Sequence, residues 1–69
     1  MSDKAFEIRA YGKSELAMIY HPKCSRRAAL ARMRNWYETN PRLRYLLDVP
    51  GYDFTPKQVQ QIVDELGEP

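Results

Sequence analysis

The sequence predicts a mainly α-helical single domain: four mostly short helices around a helix-turn-helix-like core. Three observations lead there. Apolar residues recur at helical spacing in four stretches, with Leu16, Ala29, Leu43 and Val59 each opening one. Ser25, Asn40 and Thr55 stand as N-caps just ahead of three of them. Pro22, Pro41, Gly51 and Gly67 punctuate the chain closely enough that the connections are short. No repeat, low-complexity tract or linker divides residues 1–69, so one domain is expected.

The opening AFEIRAY alternates, with Phe6, Ile8 and Ala10 on one side and Glu7, Arg9 and Tyr11 on the other. That is the period of a half-buried strand. Gly12 breaks it and is acceptable as the N-cap of a first helix, in which Glu15 falls at the third position and can reach back to the cap N–H. Leu16, Ile19 and Tyr20 form its expected apolar stripe, and Pro22 stops it near Tyr20. A helix of barely two turns survives only by packing on something else.

Ser25 caps a second helix that runs to about Thr39, where Asn40-Pro41 ends it. At 100° per residue, Ala29, Leu30, Met33, Trp36 and Tyr37 share one arc, while Arg27, Ala31, Arg32, Arg34, Asn35 and Glu38 face away. Asn40 and Pro41 then open a short third helix with Leu43, Leu46 and Leu47 inward. VPG at 49–51 is a turn, and YDF at 52–54 is a short extended piece that can pair with residues 5–10 as a two-stranded ribbon. In the last helix Thr55 caps, Pro56 takes the first position, Gln58 completes the capping box, and Val59, Ile62, Val63 and Leu66 form the stripe before Gly67.

Sixty-nine residues with 43% apolar content are enough for one core and too apolar for a disordered tail. A single cysteine excludes an internal disulfide. No apolar run reaches a membrane span, and the N-terminus lacks a signal-peptide core, so a cytoplasmic protein with Cys24 reduced is expected. The formal net charge is only +2 but uneven: residues 21–44 hold seven bases and one acid, and residues 45–69 hold five acids and one base. Such asymmetry points to an anionic partner or to head-to-tail self-association.

Residues 21–27, HPKCSRR, form the corner between the first two helices and carry the candidate chemistry. His21 and Cys24 are the chain's only histidine and cysteine, short of the three or four ligands zinc takes, so no metal is expected. As a nucleophilic pair they lack a third orienting group and an oxyanion hole, and the three glycines all lie at breaks, so there is no phosphate loop. Cys24 reads as a small apolar plug under the corner. Neither a catalytic site, a cofactor nor a small-molecule substrate is expected.

The basic corner fits duplex DNA better. In a helix-turn-helix the second helix enters the major groove N-terminus first. That geometry presents Lys23, Ser25, Arg26 and Arg27, with Arg34 further along and Arg42 and Arg44 able to hold flanking phosphates. Arg26 lies at the edge of the apolar arc, where it can instead snorkel or pair with an acid of the last helix. Trp36 and Tyr37 beside Arg32 and Arg34 suggest RNA stacking, but both fall on the apolar arc, where core packing is expected. The alternative to DNA binding is a protein-interaction module or small homodimer, its basic middle meeting the acidic end of a neighbour or another acidic protein.

The opening and the ending together resemble a family of very small bacterial proteins of unknown function from gut Bacteroidales. Tyr11, Lys13, Glu15, Leu16 and Ala17 match its opening; Phe54, Thr55, Pro56, Gln58, Val59, Ile62, Leu66, Gly67, Glu68 and Pro69 match its ending. The same segments are similar to those of small DNA-binding helix-turn-helix proteins of those bacteria, which implies the same reading of the corner. The matched residues are caps and core positions, so the resemblance implies a shared fold before a shared activity. It supplies no catalytic residue.

Overall fold

A computed structural model describes residues 6–69. In chain order these form strand β1 (Tyr11–Gly12), helix α1 (Lys13–Tyr20), helix α2 (Arg26–Thr39), a 3-10 helix (Arg44–Asp48), strand β2 (Asp53–Phe54) and helix α3 (Pro56–Leu66). The protein is therefore mainly helical, with three α-helices and a small antiparallel ribbon that sets Tyr11 opposite Phe54 and Gly12 opposite Asp53.

Two expectations are corrected here. The segment after Asn40 is not a fourth α-helix: Leu46 N–H bonds to Leu43 O at 2.9 Å and Val49 N–H to Leu46 O at 3.3 Å, the i→i+3 pattern of a 3-10 turn. Leu43 and Leu46 face the core and Leu47 does not. A three-residue spacing suits a 3-10 helix as well as an α-helix, and Pro50 leaves no room to nucleate the longer form. The ribbon is also shorter and shifted. It begins at Tyr11 rather than within residues 5–10, of which Ala5 lies outside the described residues. The alternation does not set a buried face: Tyr11 is buried and Phe6 packs partly on the core, while Glu7, Ile8, Arg9 and Ala10 are all exposed. Tyr11 wins the inward place because its ring has partners, with Phe6 stacked at 5.2 Å, the Arg9 guanidinium 3.8 Å from its centroid, and a hydroxyl donating to Glu7 O at 2.8 Å.

The helix ends follow local chemistry. Gly12 N–H donates to Glu15 Oε1 at 3.1 Å at the start of α1. Ala28 N–H donates to Ser25 Oγ at 3.2 Å at the start of α2. Thr55 and Gln58 cap α3 reciprocally, at 2.9 and 3.2 Å. Gly67, at φ +90°, ends α3 in a conformation that disfavours any residue with a Cβ.

Helix α1 packs on α2, and both turn an alanine to the core, Ala17 and Ala29. Small residues there let the backbones approach. This is why Ala17, and not Ile19, joins Leu16 as the inward face of α1. Met33 and Tyr37 of α2, Phe54 of β2, and Val59 and Ile62 of α3 complete the core. Tyr37 meets the Phe54 ring edge-on at 6.0 Å. Trp36 is half-buried, edge-on to Tyr20, so it packs as expected, but Leu30 stays 37% exposed.

Helix α3 is tied to the far ends of its neighbours. The Tyr20 hydroxyl donates to Gly67 O, Tyr45 to Gln61 Oε1, and Asn40 Nδ2 to Glu65 Oε1 at 3.2 Å. These ties put the C-terminal part of α3 beside the C-terminal end of α2, with Trp36, Asn40, Glu65 and Leu66 bordering one shallow cleft. The N-terminal end of α2 is left without that cover.

Candidate functional site

The α1–α2 corner spans His21–Ser25, closed by Cys24 N–H donating to His21 O at 3.1 Å. Cys24 is half-buried against the core. The His21 ring lies 4.8 Å from Trp36, and its Nε2 is buried without a hydrogen-bond partner among the described residues. Burial, helped by the nearby positive Arg32, pushes its pKa below the ordinary imidazole value and so favours the neutral ring. Among the described residues no three His, Cys, Asp or Glu side chains gather as a metal site. No helix of the described residues is long and apolar enough to cross a membrane.

All seven residues singled out from the sequence are exposed, but they do not form one surface. Arg26 and Arg27 in the first turn of α2 and Arg34 two turns further along border one open groove of about 850 Å³. Ser25 borders the same groove, with its hydroxyl occupied in capping α2. Lys23 stands on the corner outside the groove, and Arg44 starts the 3-10 helix away from it. Arg42 is committed elsewhere, its guanidinium 3.5 Å from Glu65. The other ion pair among the described residues, Arg9 with Glu15 at 3.2 Å, leaves Arg26, Arg27 and Arg34 without a carboxylate partner there. Arg26 thus neither pairs with α3 nor lies under it.

The groove has a second character that the sequence does not announce. Leu30, Met33, Tyr37, Leu46, Leu47 and Phe54 make an apolar floor beneath the arginines. Leu30 and Leu47 face outward, the latter 38% exposed. Lys13 closes one end: its ammonium donates to Val49 O at 2.5 Å and sits 5.5 Å from the Phe54 ring centroid. Among the described residues no Asp or Glu lines the groove. Lys13 reads from the sequence as a first-turn residue of α1, and Leu47 as a core leucine. Their place here depends on the ribbon and the 3-10 helix folding back over α2.

The model of a family described as a domain of unknown function (DUF4248) matches residues 7–69. No curated protein and no solved structure matches the chain.

Proposed function

The chain belongs to that family of unknown function, and we propose that it is a non-enzymatic, cytoplasmic DNA-associated protein that contacts duplex DNA through the N-terminal half of α2. One observation carries the reading. Arg26, Arg27 and Arg34 are exposed on one face, unpaired among the described residues, and clear of α3. The reading is supported by two consecutive helices, α1 and α2, joined by the short corner His21–Ser25, which is what a helix-turn-helix would need. In such a unit α1 braces α2 across the backbone, and the first turns of α2 reach the base edges. Arg26 and Arg27 would pair with guanine or clamp phosphates, and Lys23 would add a flanking phosphate contact. Arg42 would contribute little while Glu65 holds it.

The test is fluorescence anisotropy of a labelled mixed-sequence duplex titrated with protein at low and near-physiological salt. Binding should weaken with salt at a log–log slope of about −0.9 per phosphate neutralised, and Arg26→Ala/Arg27→Ala should flatten that slope by about two phosphates' worth. An absence of binding at low salt ends the proposal.

A further inference from the structure

We infer that the groove beside α2 also receives a second copy of this chain, through the loop that carries Tyr52. Tyr52 is 89% exposed, far more than any other large apolar residue of the described chain. It lies between two exposed acids, Asp48 and Asp53, neither in an ion pair among the described residues. The loop is held in place. Lys13 N–H donates to Tyr52 O at 2.7 Å, the Lys13 ammonium holds Val49 O, Asp53 pairs with Gly12 in the ribbon, and Gly51 at φ +86° makes the turn. An aromatic presented on a fixed backbone loses little freedom on docking.

The groove offers the complement. Duplex DNA would satisfy its arginines and leave the outward-facing Leu30 and Leu47 unused. A segment with one apolar anchor between two carboxylates uses both the floor and the rim. An open groove of this kind suits a protein segment better than a small molecule, which needs most of its surface enclosed. The loop stands next to its own molecule's groove: Leu47 and Phe54, on either side of it in sequence, both line the groove, and Tyr52 itself does not. Knob and hole therefore lie side by side on one surface. A two-fold axis between them seats each Tyr52 in the opposite groove, with Asp48 and Asp53 against Arg26, Arg27 and Arg34, and closes the assembly at two copies. Buried aromatics and arginines are the usual anchors of such contacts. The proposal stands whether or not the protein binds DNA. If it does, the two partners compete for the same arginines.

Sedimentation velocity on the full chain, over a wide concentration range at physiological salt, tests it. A concentration-dependent dimer is expected, weakened at least tenfold by Tyr52→Ala, a change at an exposed site that circular dichroism should show to be folded. Two charge-reversed chains make the decisive pair: Asp48→Lys/Asp53→Lys and Arg26→Glu/Arg27→Glu. Each alone should remain monomeric, and mixing them should restore the dimer, because each loop then meets an opposite rim. A wild-type chain that stays monomeric throughout overturns the proposal. So does a dimer indifferent to Tyr52→Ala, or a mixture that fails to associate.

Discussion

At the C-terminal end of α2, Arg42 reaches Glu65 and Asn40 bonds the same carboxylate. Along the groove side of α2, from its first turn to Arg34, Arg26, Arg27 and Arg34 stand over an apolar floor with no ion-pair partner among the described residues. Both ends are rich in arginine. What separates them is whether α3 supplies a counter-charge: it does so through Glu65 at one end and stays clear of the other. A run of bases in a sequence therefore marks candidates only. The fold decides which become latches and which remain available to a partner.

The largest perturbation removes the ground both ends share. Phe54 is fully buried, touches the Tyr37 ring edge-on, lines the groove and pairs with Tyr11 in the ribbon. Phe54→Ala should cost about 3–5 kcal/mol in urea denaturation, a large share of the stability of so small a domain. A loss under about 1 kcal/mol would mean that this core does not hold the two ends of α2 in place.

A smaller change probes the latched end alone. Glu65→Ala removes both the Arg42 ion pair and the Asn40 hydrogen bond, and the pair is mostly solvent-facing on the Arg42 side, 77% exposed against 24% for Glu65. The expected cost is about 1 kcal/mol in the same assay, most of it from the Asn40 bond. If the available end binds duplex DNA as proposed, freeing Arg42 should leave affinity unchanged or slightly raised. A loss of binding equal to that of Arg26→Ala/Arg27→Ala would erase the distinction between the ends.

The smallest effect is pH-dependent and sits at the corner. His21 has a folded pKa below its ordinary value of 6.5, so the unfolded chain takes up the proton first as pH falls. The stability from neutral His21 is fully present above pH 6.5 and declines below it, until the folded pKa is passed. Thermal melts followed by circular dichroism from pH 8 to 5 should show Tm falling across that window. His21→Phe, which keeps a ring against Trp36, should flatten the fall. An unchanged fall would place its origin in other groups.

Legibility in the sequence varied with how local the cause was. Helix α3 was readable end to end, because Thr55, Pro56, Gln58 and Gly67 act within a turn of where they stand. Ser25 and Thr39 bounded α2 as read, and Gly12 and Glu15 opened α1. The errors came where tertiary packing chose between locally equal options. Ile19 and Ala17 both fit an inward stripe, and close packing of α1 on α2 favoured the alanine. The leucines after Arg42 fit two helix types. Tyr11 turned inward once Phe6 and Arg9 were there to flank it. The site divided in the same way. The arginines were visible as residue types, but the groove needs Lys13, Leu30, Leu47 and Phe54 from four separate segments, and no spacing rule joins them.

One consequence follows from where the single tryptophan lies. Trp36 stands between Tyr20 and His21 on the side that α3 closes, and it borders the shallow cleft rather than the groove. Its intrinsic emission is thus a reporter built into the wild-type chain. Melting of the latched end should shift it, and protonation of the adjacent imidazole should quench it. Filling of the groove by any partner should leave it dark to the event, so an optical readout of docking must be introduced on the Leu30 side.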